Sequence, residues 1–92
     1  MHKTVIHFAT PEFWQLYQLL PQHVRRTADH QFNMLKQNPN HPSLHLKKIG
    51  ELWSVRAGLH YRALGVGLPD NQSGILWFWI GSHAQYDRMV HG

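Results

Sequence analysis

His83 and Tyr86 stand three residues apart near the end of the chain, so on a helix they share a face. Imidazole is the side chain whose ordinary pKa lies close to neutrality, and it can take up or release a proton there. With a tyrosine and cations beside it, such a group suits RNA cleavage without a metal. A base removes the 2′-hydroxyl proton, cations hold the crowded phosphate, and an acid protonates the departing oxygen. The candidate cations are Arg56, Arg62, Lys47 and Lys48. The same tail also suits a capped helix that packs Tyr86 onto a sheet and does no chemistry.

Convergence of the cations depends on strand geometry. Side chains alternate along a strand, so Ser54 and Arg56 share one face while Trp53 and Val55 share the other. A two-residue turn at Gly58-Leu59 puts Arg56 and Arg62 on opposite faces. A three-residue turn, Gly58-Leu59-His60, makes them a direct cross-strand pair. Like charges placed opposite each other destabilise a sheet, so such a pair needs an anion or a carboxylate. Arg62 equally suits a salt bridge to a helix acid. Lys47 and Lys48 are adjacent, so at most one joins a site on a given face. Lysine also keeps an edge strand soluble.

Other chemistries find little support. Gly65-Val66-Gly67 is not followed by a lysine or a helix start, which argues against a phosphate loop or a dinucleotide fingerprint. The five carboxylates show no close, regular spacing. His41 and His45 are four apart but enclose Pro42, so they do not lie on one helix. The absence of cysteine removes disulfides, Fe–S and thiolate zinc sites, and a thiol nucleophile. A metal site would need several histidines to converge. Neither a metal nor a cofactor is expected.

The elements that must position these groups read as follows. Thr4-Val5-Ile6-His7-Phe8 is β-branched and aromatic, a first strand. Thr10-Pro11-Glu12 opens a helix, with Thr10 as cap and Pro11 in the first turn. Phe13, Trp14, Leu16, Tyr17 and Leu20 form its apolar stripe. Pro21 marks a bend or a new start. Residues 22–37 form a second helix whose Val24, Ala28, Phe32 and Leu35 lie on one face. After the turn-rich segment 38–43 the period changes to two. Strands are expected at 44–49, 52–57, 60–66 and 75–80, the last apolar at every position, as a central strand would be. Pro69 to Gly74 reads as a polar turn. Gly81-Ser82 ends the last strand, and Ser82 caps a short helix from His83 to Val90. Helices first and a strand meander afterwards argue for an α+β fold with a mostly antiparallel sheet of four to five strands.

At 92 residues the chain is one small domain spanning 1–92, and 42% hydrophobic composition supports a packed core. The net charge is +4 and is localised: residues 30–69 hold Lys36, Lys47, Lys48, Arg56 and Arg62 against Glu51 alone. Such a field suits an anionic partner, nucleic acid or an acidic protein segment, or simply a solvated basic surface. No apolar run approaches the roughly 20 residues of a membrane helix, and the start does not resemble a signal peptide. A soluble cytoplasmic protein is expected.

Two stretches carry a resemblance. Trp53-Ser54-Val55-Arg56-Ala57-Gly58 followed by His60-Tyr61-Arg62-Ala63-Leu64, and Ile80-Gly81-Ser82-His83 followed by Tyr86-Asp87-Arg88, resemble motifs of the RelE/ParE superfamily of bacterial toxin–antitoxin toxins. The element order is similar as well. The resemblance implies a toxin neutralised by an antitoxin segment. In the RelE branch it implies ribosome-associated mRNA cleavage without a metal. Arg56 matches that family's phosphate-binding strand arginine, His83 the Arg or His two residues after its glycine, and Tyr86 its C-terminal tyrosine. Lys47 or Lys48 matches its basic strand residues, and Tyr61-Arg62 its Tyr-Arg strand. The ParE branch shares the fold and poisons DNA gyrase, so a non-catalytic gyrase inhibitor is the alternative. A further alternative is an inactive toxin-like domain that only binds an antitoxin.

Overall fold

A computed structural model describes residues 5–69 and 74–92. The elements run β1 (Ile6–Ala9), α1 (Pro11–Gln18), α2 (Gln22–Gln37), β2 (Lys47–Ile49), β3 (Leu52–Gly58), β4 (Tyr61–Gly67), β5 (Gly74–Ser82) and α3 (His83–His91). The strands form one sheet in the order β1-β5-β4-β3-β2. Every pairing is antiparallel except β1 with β5, which is parallel. This is the expected α+β arrangement.

Local chemistry explains most boundaries. The Thr10 hydroxyl accepts from the Phe13 amide at 3.1 Å and starts α1, with Pro11 just inside. The Thr10 amide donates to the Trp77 carbonyl at 2.9 Å, so the parallel ladder hands the chain directly to the helix. Pro21 precedes α2, whose Val24, Ala28 and Leu35 are buried. Phe32, expected on the same face, is 39% exposed. The reason is the helix arrangement: α1 lies on β5 while α2 lies on β3. Phe32 lies toward the β1 side, where its ring packs edge-on to that of His7 with centroids 5.6 Å apart.

The strand expected over 44–49 is shorter. Pro42–Leu44 forms a 3-10 turn, His45 takes a left-handed φ of 47°, and β2 begins only at Lys47. Nδ1 of His41 accepts from the Ser43 amide at 3.1 Å and caps that turn. Leu44 is fully buried by it. Its alternation with Leu46 imitated a strand because both residues face the core. At the other end, β5 continues through Gly81 and Ser82 before α3 begins. The polar turn expected at 69–74 falls largely outside the described residues.

The core lies between the helices and one face of the sheet, where Val55, Ala57, Ala63, Ile75, Trp77 and Ile80 meet Leu20, Val24, Ala28 and Leu35. Gly65 lies inside β4, which removes any phosphate-loop role. A Cβ there would sit 2.7 Å from Ile75 and 2.8 Å from Trp77. The bare glycine lets those two side chains cross the neighbouring strand.

Candidate functional site

The opposite face of the sheet collects the candidate residues. Val55 and Ala57 are buried in the core, so Arg56 between them faces the other way. Tyr61 and Ala63 flank Arg62 in the same manner. The register pairs Arg56 directly with Arg62, and Ser54 with Leu64. The turn that achieves this differs from both simple expectations. Gly58 pairs with Tyr61 across Leu59-His60, and the register shifts between Arg56 and Gly58. Ala57 is the extra residue of a bulge, and that bulge restores the arginines to one face.

The two guanidinium groups are held differently. Arg62 Nη1 donates to the carbonyls of Tyr61 at 2.9 Å and Gly58 at 3.3 Å, so it also ties down the turn. Arg56 Nε is buried and has no hydrogen-bond partner among the described residues. Burial, and then the neighbouring Arg56, hold the Arg62 guanidinium below its ordinary pKa, while Tyr86 and Asp87 act in the opposite sense. Among the described residues, no carboxylate forms an ion pair with either arginine.

α3 lies over this face. Ser82 caps it by accepting from the Gln85 amide at 3.1 Å, and the Gln85 side chain returns to the Ser82 amide at 3.1 Å, a reciprocal capping box. The His83 amide donates to the His60 carbonyl at 2.7 Å, which joins the helix start to the β3–β4 turn. One turn of helix then sets His83 Nε2 3.3 Å from an Asp87 carboxylate oxygen. His83 keeps 44% of its side chain exposed. Its ring also packs edge-on to Tyr86, with centroids 5.8 Å apart.

Tyr86 is only 4% exposed, and its hydroxyl accepts from Ser54 Oγ at 3.0 Å. It is the one buried residue of α3 and anchors that helix to β3. The packing role foreseen for it therefore holds, and its hydroxyl is already engaged.

The lysines separate. Lys47 pairs with Ser54 and so lies on the arginine face. Lys48 pairs with Trp53, and its Nζ stands 5.9 Å from that ring on the helix side. Lys48 therefore does not join Arg56 and Arg62. The site thus gathers Lys47, Arg56, Arg62, His83 and Tyr86. It adds Ser54 and Asp87, which sequence reasoning did not assign to it. Asp87 was readable from its i, i+4 spacing to His83, and Ser54 from sharing a strand face with Arg56. Among the described residues, no group of three or more His, Asp or Glu side chains converges as a metal site. No helix among them is long and apolar enough to cross a membrane.

No protein-family model and no curated protein matches the chain. Solved structures do. The archaeal RelE of a RelE–RelB complex from Pyrococcus horikoshii superposes with a TM-score of 0.66 at 16% identity, covering 89% of this chain and 98% of that one. RelE of the RelB–RelE antitoxin–toxin complex from Methanococcus jannaschii gives 0.63 at 20% identity, covering 88% and 96%. A YoeB/ParE toxin from Agrobacterium tumefaciens gives 0.62 at 14% identity, covering 85% and 98%. These superpositions show that the chain has the RelE/ParE-like fold.

Proposed function

We propose that the chain is the toxin of a toxin–antitoxin system, held inactive by a cognate antitoxin protein, and that it cleaves mRNA on the ribosome without a metal. The observation that carries the reading is the Arg56–Arg62 pair. Two cations placed opposite each other across strands, without a carboxylate partner among the described residues, favour a bound anion. A phosphodiester answers that need, and Lys47 on the same face extends the positive surface along a nucleic-acid backbone.

His83 is the group that moves a proton. It is half-exposed at the edge of the basic face, and the Asp87 carboxylate 3.3 Å from its Nε2 orients the ring. In the reaction, the 2′-oxygen bonds to phosphorus and loses its proton, the bond to the 5′-oxygen breaks, and that oxygen gains a proton. The products are a 2′,3′-cyclic phosphate and a free 5′-hydroxyl. The arginines offset the charge that builds on the phosphoryl oxygens. Tyr86 serves chiefly by holding α3, and with it His83, over the site.

A second reading rests on Tyr86 as well. Its hydroxyl is buried and bonded to Ser54, so it is not presented to a substrate. That favours a non-catalytic toxin that binds a protein target such as DNA gyrase. Induced expression of wild type beside His83→Ala and Arg56→Ala separates the two. The nuclease reading expects growth arrest with cut ribosome-bound mRNA, both lost in the variants. Arrest with intact mRNA, unchanged in His83→Ala, overturns it in favour of the second.

A further inference from the structure

A second irregularity of the sheet brings an aromatic group to the arginine face. Trp77 and Ile80 are both buried in the core, although strict alternation would put residues three apart on opposite faces. The register explains this. Leu64 pairs with Trp79 and Gly65 with Trp77, so Phe78 is the extra residue of a bulge in β5. Unbroken alternation from Trp77 would send Trp79 into the core, and the bulge turns it to the other face. Its partner Leu64 pairs in turn with Ser54, which bonds Tyr86 of α3 on that face. Bulges next to binding sites commonly re-aim a side chain in this way.

The indole has a defined seat. Gly81 pairs directly with Arg62. A Cβ on Gly81 would sit 2.5 Å from Cζ2 and 2.9 Å from Cη2 of Trp79, so the six-membered ring lies over the bare glycine. The same Cβ would sit 2.7 Å from Gln85 Oε1, so the ring reaches the start of α3. It therefore stands beside Arg62, which opposes Arg56. Trp79 lies outside the hydrophobic core and is partly exposed. Among the described residues, no other aromatic ring stacks on it and no cation lies over it.

We propose that Trp79 is a stacking platform for one nucleobase of a single-stranded RNA whose phosphate is held by Arg56 and Arg62. The inference rests on the nuclease reading for its ligand. Cations that follow a backbone, with an aromatic plane beside them, are the parts that hold a single strand, because every base has a π-face. An inorganic anion or an acidic side chain satisfies the arginines but has no plane to lay on the indole.

The test is binding of a short single-stranded RNA, methylated at its 2′-hydroxyls to prevent cleavage, across a salt series. The RNA is used intact and with each base removed in turn. In wild type, removal of one particular base should weaken binding by about tenfold. Trp79→Leu should weaken the intact RNA by a similar factor, and removal of that same base should then cost nothing further. The salt slope of Trp79→Leu should equal that of wild type, since stacking neutralises no phosphate, whereas Arg56→Gln should lower the slope by about 1. Trp14→Leu, at an exposed indole on the helix side, should change nothing. If Trp79→Leu does not fold, wild type still decides the matter: the NMR signals of the Trp79 ring should shift with intact RNA and not with the RNA lacking that base. Equal affinity of Trp79→Leu and wild type, or equal base-removal losses in both, overturns the platform and leaves the arginine site standing. A lowered slope in Trp79→Leu also overturns it, since the loss then belongs to a displaced arginine. Absence of RNA binding by wild type overturns the platform together with the reading beneath it.

Discussion

Arg56 and Arg62 face each other across β3 and β4, and the bulge at Ala57 is what brings them there. Arg62 secures two backbone carbonyls, whereas Arg56 leaves its Nε buried and unpaired among the described residues. The two arginines should therefore respond differently to removal. Arg62→Ala loses charge-assisted bonds that fix the turn and should cost about 1–3 kcal/mol. Arg56→Gln relieves repulsion and should change stability by less than about 0.5 kcal/mol. Urea unfolding of both variants measures this. Equal losses would mean that Arg56 has a structural partner.

The same pair predicts an anion effect. Sulfate at matched ionic strength should raise the melting temperature of wild type more than chloride does, because a bound anion stabilises only the folded state. Arg56→Gln should lose most of the difference. A sulfate effect equal in both proteins would point to general salt behaviour and not to this site.

Tyr86 and Ser54 make a separable prediction about α3. Ser54→Ala leaves a buried phenol without its partner and should cost about 1–3 kcal/mol. Tyr86→Ala removes the one buried side chain of α3 and should cost about 3–5 kcal/mol. Tyr86→Phe with Ser54→Ala together should recover part of the single losses, since neither polar partner then remains. Denaturant unfolding of wild type, Ser54→Ala, Tyr86→Phe and the double variant closes the cycle. Full additivity would show that the 3.0 Å bond carries no coupling.

Much of this fold is legible in the sequence. Thr10-Pro11 and Ser82 announce helix starts through local hydrogen bonds, and both caps form. The run from Ile75 to Ile80 announces an interior strand, and β5 lies between β1 and β4. What stayed hidden depended on pairing over distance. Leu44 and Leu46 alternate as a strand would, yet the His41-capped turn claims Leu44. The facing of Arg56 and Arg62 rests on one bulged residue, and no local rule places a bulge at Ala57. His7 became notable only when β5 brought Trp77 to its ring.

The two lysines test the facing of β2. Lys47 shares the face of Arg56, while Lys48 lies toward Trp53. If RNA lies along the arginine face, Lys47→Gln should lower the slope of log affinity against log salt by about 1. Lys48→Gln should leave the slope within error. Binding of a short single-stranded RNA across a salt series reads both. A larger effect at Lys48 would move the nucleic acid to the other side of the sheet.

His7 gives the fold a pH dependence whose sign follows from its surroundings. Burial first, and Lys36 second, lower its pKa from the ordinary 6.5. The Trp77 N–H aimed at Nδ1 also disfavours a proton there. The folded chain therefore binds fewer protons at His7 than the unfolded chain does in the interval just below pH 6.5. Stability contributed by neutral His7 is complete above that pH and declines as pH falls toward the folded value, by at most about 1.4 kcal/mol per pH unit. His7→Gln keeps an acceptor for Trp77 but cannot titrate. Urea midpoints between pH 7.5 and 5 should fall more steeply for wild type than for His7→Gln. Parallel curves would show that His7 is as free to take a proton in the fold as outside it.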